Sequence, residues 1–318
     1  MKFPFTLSEN KEFDAVGFGL NAVDHLIVMP SYPAFDTKTR LKEHIQSAGG
    51  QTASCMVGLQ RLGMKTAYAG RFGSDAEGAF GLQTLKDEGV DAKHAEIIPD
   101  SKTQIAFIVI DEQSGERTIF WDRDEKHTYS QSEVPLSLAR SGKVLHLDAH
   151  DPYGCLQMAR EAKRNGVITS LDVDKLYDGC QELLPYVDIL ISSSNFPREL
   201  TGIRDEHSAL IEIKERFSCA IVGMTLGVRG SILYVGREFL TVAAYEVPNG
   251  AKDTTGAGDA YHAGFIYGLL KGEEIEDCMK LGSAVAALKC RKLGARTALP
   301  DEKELELYLN LGMKPIEF

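Results

Sequence analysis

Asp253-Thr254-Thr255-Gly256-Ala257-Gly258-Asp259 runs straight into AYHAGFIYGLL, which ends at Leu270. The apolar stretch from Ala257 to Leu270 reads as a buried helix, so the seven residues before and into it form the loop at a helix N-terminus. The first N–H groups of a helix lack intrahelical acceptors, and the positive end of the peptide dipoles points the same way. Glycines in the loop permit unusual backbone angles and close approach by a ligand. Such a site binds phosphate and stabilises charge that builds on a phosphoryl group in transfer. Asp259 falls in the first helical turn beside it. A carboxylate there can take the proton of a hydroxyl as its oxygen attacks phosphorus, and phosphoryl transfer asks little more of a protein than positioning, charge neutralisation and such a base. A helix cap and a turn alone do not explain two acids and two glycines in seven residues.

Outward from this loop, the rhythm of the chain is that of an α/β protein. Val144 to Leu147, Val167 to Val173, Asp188 to Ser192 and Cys219 to Met224 read as strands, with helices at Tyr153 to Arg164 and Ser208 to Phe217 between them. That alternation predicts parallel βαβ units and a sheet covered on both faces. Ile275 to Lys289 is a second strong C-terminal helix. Ile232 to Val235 and Phe239 to Ala244 read as a hairpin. Earlier, Phe13 to Leu20, Val23 to Val28 and Lys65 to Gly70 are strands, Gly49-Gly50 opens a helix running to Leu62, and Glu77 to Glu88 is a helix stopped by Gly89. Ile105 to Ile110 and Arg117 to Trp121, joined by DEQSGE, read as a hairpin, and these short early strands predict a small β lid on a large sandwich. Gly17-Phe18-Gly19-Leu20-Asn21-Ala22 fits a dinucleotide-binding pattern, but VDHLIVMPSYP follows it as strand and proline-broken loop where that fold needs a helix. No GxxxxGK[ST] loop occurs.

Composition narrows the partners. With 46 acidic against 35 basic residues the formal charge is −11, which argues against nucleic acid or an anionic membrane as partner. An anionic ligand would then need local cations or backbone donors. Six cysteines without a C-x-x-C pair suit reduced thiols and argue against a zinc site. The N-terminal MKFPFTLSENKEFD lacks the apolar core of a signal peptide, and no apolar run is long enough to span a membrane. The expectation is a cytoplasmic enzyme.

These motifs resemble the ribokinase-like, phosphofructokinase-B (PfkB) type carbohydrate kinases over nearly the whole chain. The resemblance implies a three-layer α/β/α sandwich with a central, mostly parallel sheet and a small β-sheet lid. It implies one kinase domain over residues 1–318, with lid strands drawn from about 20–45 and 103–123. It also implies transfer of the γ-phosphoryl of ATP, with Mg2+, to a hydroxyl of a free sugar. Asp259 would be the catalytic base, and the Gly256-Ala257-Gly258 backbone the anion hole. Asp253, Thr255 and Gly294 would hold a monovalent cation, K+. Sugar would meet Asp24 in GLNAVDHL, Gly49, Gly50 and Gln51 in QSAGGQTAS, Asp148 in LHLDAHD, and Asp259. Gln51 stands where the family usually has Asn. ATP would lie against Thr225, Gly227, Gly230, Gly258 and Ser283, the first three in the TLGVRG loop after a buried strand. Gly294-Ala295-Arg296 resembles the segment that closes over adenine and the cation, and Gly73-Ser74-Asp75-Ala76-Glu77-Gly78 a structural turn of the family.

Other polar residues are open to two readings. His150 reads more readily as a satisfied surface histidine than as a sugar ligand, while Asp172 and Asp174 in SLDVD either organise metal-bound water or cap a loop. Two departures stand out. Aligned on Leu200-Thr201-Gly202, the family's Asn-x-x-Glu motif falls on Ser193 and Phe196, with Asn195 and Glu199 keeping the residue types in a shifted register. Ala298 replaces a hydroxyl that some relatives carry near the cation. The lid hairpin, with Phe107, Val109, Ile119 and Trp121 needing cover on one face, implies a homodimer clasp. A ketohexose, fructose-like or ribose-like sugar is the expected acceptor. The alternatives are a nucleoside of adenosine type and, in a different class, a sugar sensor without catalysis.

Overall fold

The computed structural model describes residues 1–113, 117–312 and 314–316. In chain order its strands are β1 (Phe13–Phe18), β2 (Ala22–Met29), β3 (Glu43–Gly49), β4 (Thr66–Ala69), β5 (Arg71–Gly73), β6 (Glu96–Ile98), β7 (Ile105–Asp111), β8 (Arg117–Asp122), β9 (Gly142–Asp148), β10 (Ile168–Val173), β11 (Ile189–Ser193), β12 (Ile221–Thr225), β13 (Ser231–Val235) and β14 (Glu238–Val242). Its helices are α1 (Gln51–Arg61), α2 (Ala76–Asp87), α3 (Leu136–Ala139), α4 (Pro152–Arg164), α5 (Cys180–Leu183), α6 (Phe196–Thr201), α7 (Glu206–Phe217), α8 (Ala257–Lys271), α9 (Ile275–Lys289) and α10 (Glu302–Asn310).

Eight strands form one sheet in the order β14-β13-β12-β11-β10-β9-β1-β4. Pairing is parallel from β4 through to β12, and β13 and β14 close one edge as an antiparallel meander. The parallel strands are buried along nearly their whole length, because helices cover both faces. Alternate residues feed two separate cores. Ala15 and Val144 pack with α1, α2, α8, α9 and α10. Val16, Phe18, Leu145 and Leu147 pack with α3 to α7 on the other side. The result is the three-layer α/β/α arrangement expected from the alternation of strands and helices.

A second, four-stranded sheet of order β3-β2-β7-β8 stands apart. Its central pair β2–β7 is parallel, and both flanking pairs are antiparallel. Leu26, Val28, Ala106, Ile108 and Ile110 make its own small core. The sequence pattern does not mark β3, whose EHIQSAG has one β-branched residue and is held by pairing with β2. The register also divides the apolar lid residues. Ile108 faces Ile119 and Ala106 faces Trp121 on the inner side, while Phe107 pairs with Phe120 on the outer side. Phe107 and Val109 therefore do not share a face with Ile119 and Trp121, correcting the expectation of one face for all four. The DEQSGE turn between β7 and β8 lies in part outside the described residues.

Candidate active site

The strands β1, β9, β10 and β12 end on one side of the large sheet, the edge at which ligands of open α/β folds bind. A cleft of about 530 Å³ opens there beneath the small sheet. Its floor is formed by Asp24, Gly50, Gln51, Thr255, Gly256, Asp259 and Ala295, and its roof by Ala106, Ile108, Arg117, Ile119 and Trp121. His150, Asp174, Lys175 and Tyr177 stand at the mouth. Asp24, Gly50, Gln51, Thr255, Gly256 and Asp259, dispersed over more than two hundred positions of sequence, thus share one wall. Gly49 lies directly under it. A side chain at 49 would collide with Asp24 Oδ2, so the glycine lets the carboxylate rest against the main chain.

The loop before α8 is set by hydrogen bonds to Asp253. Its carboxylate accepts the Thr255 amide at 2.9 Å and the Gly294 amide at 2.8 Å. Gly256 has φ 76°, and a Cβ there would stand 2.8 Å from Ala295 Cβ, so this position needs glycine. Gly258 differs: a Cβ there would meet nothing within 4 Å. The Ala257 amide reaches Thr254 O at 3.1 Å and the Ala260 amide reaches Gly256 O at 3.0 Å. Between them, the amides of Gly258 and Asp259 belong to the helix end and have no intrahelical acceptor. Arg117 crosses from the roof and donates to Thr254 Oγ1. Thr255 Oγ1 is buried without a partner among the described residues.

Charge under the floor is dense and dry. Burial drives the Asp259 carboxyl well above the ordinary carboxylate range, and the negative charges of Asp172 and Asp24 add to this against Arg296 and Lys289. Burial pushes Asp24 up to about 6, and no hydrogen-bond donor reaches its carboxylate among the described residues. Burial would raise Asp172 too, but His262, one turn beyond Asp259 on α8 and 3.4 Å away, holds it below its usual value. His146 packs beside His262 and is pulled down to about 3 by burial. Arg296, pulled down to about 10 by burial, donates to Gly49 O and, at 3.2 Å, to Ser54 Oγ. The Gly294–Arg296 segment therefore ties the loop before α8 to the Gly49 side of the cleft, not only to the side expected for adenine. Sequence reasoning did not find Arg117, Lys175, His262 or Lys289.

Several expected residues lie elsewhere. Asp148 is fully buried, and its carboxylate is taken up by the Leu20 amide at 2.6 Å, Thr52 Oγ1 at 2.7 Å and the His150 amide at 3.1 Å. Against burial, the His150 side chain first, then the Leu20 amide and Thr52 hydroxyl, hold it well below the usual range. It braces the end of β1 against α1 and is not on the cleft wall, while His150, 3.4 Å from it, is. Asp174 accepts from Tyr177 OH at 2.9 Å. Glu199 accepts the Leu176 amide at 2.8 Å, capping the loop after β10. Asn195 begins α6, and Ser193 Oγ donates to Asp174 O at 2.5 Å. Thr225, Gly227, Gly230 and Ser283 do not line this cleft. Gly230 is buried and closes the β12–β13 turn, its carbonyl accepting the Leu226 amide at 2.7 Å. Gly227 is exposed, and Ser283 is buried in α9. Asp253, Thr255 and Gly294 do converge, on the carboxylate of Asp253, which also faces the ammonium of Lys289. The ammonium donates to Asp253 O at 2.9 Å and lies 3.8 Å from Asp253 Oδ2. The positive charge that this structure shows beside Asp253 is thus the lysine's own.

Comparison with known proteins agrees with this fold. A model of the pfkB family of carbohydrate kinases matches residues 20–302. A nucleoside kinase of Methanothermobacter thermautotrophicus is 28% identical over 303 residues, covering 94% of this chain and 95% of its own. An uncharacterized sugar kinase of Archaeoglobus fulgidus is 33% identical over 256 residues, 77% of this chain and 98% of its own. Among solved structures, a ribokinase of Arabidopsis thaliana complexed with ribose and ATP superposes with a TM-score of 0.81 at 24% identity, covering 93% of this chain and 98% of that one. Among the described residues no helix is long and apolar enough to cross a membrane.

Proposed function

This chain belongs to the pfkB family of carbohydrate kinases, phosphotransferases acting on sugar hydroxyls, and from that premise we propose that it moves the γ-phosphoryl group of ATP to a hydroxyl of a free sugar, a ketohexose or a pentose of ribose type, with Asp259 as the base. One observation carries the proposal. Asp259 faces the cleft from the first turn of α8, beside amides that lack acceptors, and its carboxyl is raised from the range in which it could not hold a proton. The hydroxyl gives its proton to Asp259 as its oxygen bonds to phosphorus and the bond to the ADP oxygen breaks. The Gly256-Ala257-Gly258 backbone meets the charge on the transferred group. In a chain of charge −11, Arg117 and Lys175 supply the local positive field that ATP requires.

Mg2+ in such sites is held largely by phosphate oxygens and water. Among the described residues no group of three or more His, Cys, Asp or Glu could bind a metal unaided. That suits an ion that arrives with ATP, with Asp174 and Asp259 as wall carboxylates for its water shell; when bound it neutralises phosphate charge. ATP itself would run from the Gly258 amide toward the β12–β13 turn, with Thr225, Gly227 and Ser283 on that side.

Asp24, Gln51, Gln104 and His150 offer the acceptor several hydroxyl partners, which favours a polyol. The second reading, a nucleoside acceptor, draws on Trp121 and Tyr177, whose rings on the same wall can stack a base. A panel assay of ADP release with ribose, fructose, other ketohexoses, ketodeoxy acids and nucleosides decides between them. Turnover on a sugar supports the proposal, turnover on nucleosides alone replaces it with the second reading, and no turnover on any alcohol ends both. The exposed outer lid residues Phe107 and Phe120 favour a homodimer through that sheet; only monomer in sedimentation at micromolar concentration would exclude it. Six unpaired, buried cysteines favour a reducing cytoplasm.

A further inference from the structure

We infer that Lys289 is a tethered substitute for the monovalent cation, so that this chain carries the positive charge behind its phosphate loop as part of its own sequence. Lys289 is the last residue of α9, where a lysine ordinarily snorkels to water. Here its side chain is 0% exposed. Its Nζ donates to Asp253 O at 2.9 Å and stands 3.8 Å from Asp253 Oδ2. The same carboxylate accepts the amides of Thr255 and Gly294. Of the three residues that the family resemblance assigns to an ion, Asp253 thus faces this ammonium, and Thr255 and Gly294 are held to the same carboxylate by their amides.

Electrostatics make the substitution exclusive. Burial pulls the Lys289 ammonium down from its ordinary value, and the charge of Asp253 acts against that. A buried charge persists only with a partner, and each of these two supplies the other's. A second cation held by the same Asp253 carboxylate would be repelled by the ammonium already beside it. Ala298, close to this segment, offers no hydroxyl to a metal ion. Without Lys289, Asp253 would leave an uncompensated negative charge behind amides that must attract phosphate. With it, the loop keeps a favourable field in any salt. The inference concerns the cage and holds whichever alcohol is the acceptor.

The test begins with the unaltered protein in KCl, NaCl and choline chloride at equal ionic strength. Thermal unfolding and thallium-205 NMR with thallous nitrate need no substrate, so they stand even if the kinase reading fails; ADP release is followed in parallel. The expected result is the same Tm and a kcat within about twofold in all three salts, with no bound thallium signal. Lys289→Ala should open the cage. Its kcat in choline should fall at least about tenfold, and KCl should restore it and raise Tm. A saturable rise in Tm or kcat of the unaltered protein with millimolar K+, or a bound thallium resonance, overturns the inference. So does a folded Lys289→Ala protein with undiminished kcat in choline. If that variant does not fold, the salt series and thallium spectrum of the unaltered protein decide.

Discussion

At and under the floor of the cleft, Asp24, Asp259 and Arg296 are each less than a tenth exposed; Asp259 is carried by α8 against the large sheet, Asp24 by an inner strand of the small sheet, and Arg296 by the turn after α9. On the roof, every residue of β8 is exposed, and Trp121 presents 60% of its surface. The floor works through charge removed from water, where each group resets its neighbours' proton affinities. The roof works through apolar side chains on two strands, which can exclude water once substrate is in place but stabilise little without it. A substitution in the floor should therefore register in chemistry and in pH, and one in the roof in acceptor binding and commitment.

Asp259→Asn tests the floor most severely. The amide keeps the shape but takes no proton, so kcat should fall by about 10³-fold, with the KM for ATP changed less than threefold. A steady-state rate within tenfold of the original would remove Asp259 from the base role. Asp24→Asn should separate binding from stability. With a folded value near 6 against an unfolded value near 3.8, the native state holds this proton more tightly. Stability is therefore lost as pH rises from about 4 to 6 and stays lost above. The variant should recover on the order of 2–3 kcal/mol at pH 8 and nothing near pH 4, while its KM for the acceptor rises. Chemical denaturation at the two pH values measures the first effect, and equal gains at both would break the charge account of the floor. Trp121→Ala on the roof should leave Tm nearly unchanged, raise the acceptor KM by about tenfold and increase ADP release without acceptor. A loss of several degrees in Tm would instead make the roof part of the core. The smallest effect is expected for Glu199→Gln, which weakens one hydrogen bond to the Leu176 amide. It should cost about 1 kcal/mol or less and leave the Mg2+ dependence of kcat in place; a shifted Mg2+ optimum would return Glu199 to the phosphate side.

What the sequence reveals follows the same division. The DTTGAGD loop is legible because backbone does its work, and glycines at a helix entry announce backbone sites. The parallel sheet is legible because strands covered on both faces read as continuous apolar runs. Lys289 and Arg296 are not legible. A basic residue at a helix C-terminus has an ordinary dipole explanation, and nothing local in LKCRKLGAR says which of its basic side chains turn inward. Asp148 is half legible: its place at the end of β9 is evident, but its full set of donors from Leu20, Thr52 and His150 comes from tertiary packing. The two faces of the lid hairpin follow from the Ile108–Ile119 pairing and could be read only once that register is known.

The parallel junction in the middle of the small sheet bears on how the chain reaches this form. Val23 of β2 pairs with Ile105 of β7, and between them in the chain lie α1, α2 and the edge strand β4 of the large sheet. A contact spanning that much chain forms only after its loop-closure entropy has been offset by structure already made. Pairing of β2 with β7 is thus one of the long-range steps that folding must complete, and it ties the roof to the body segments that run between those strands.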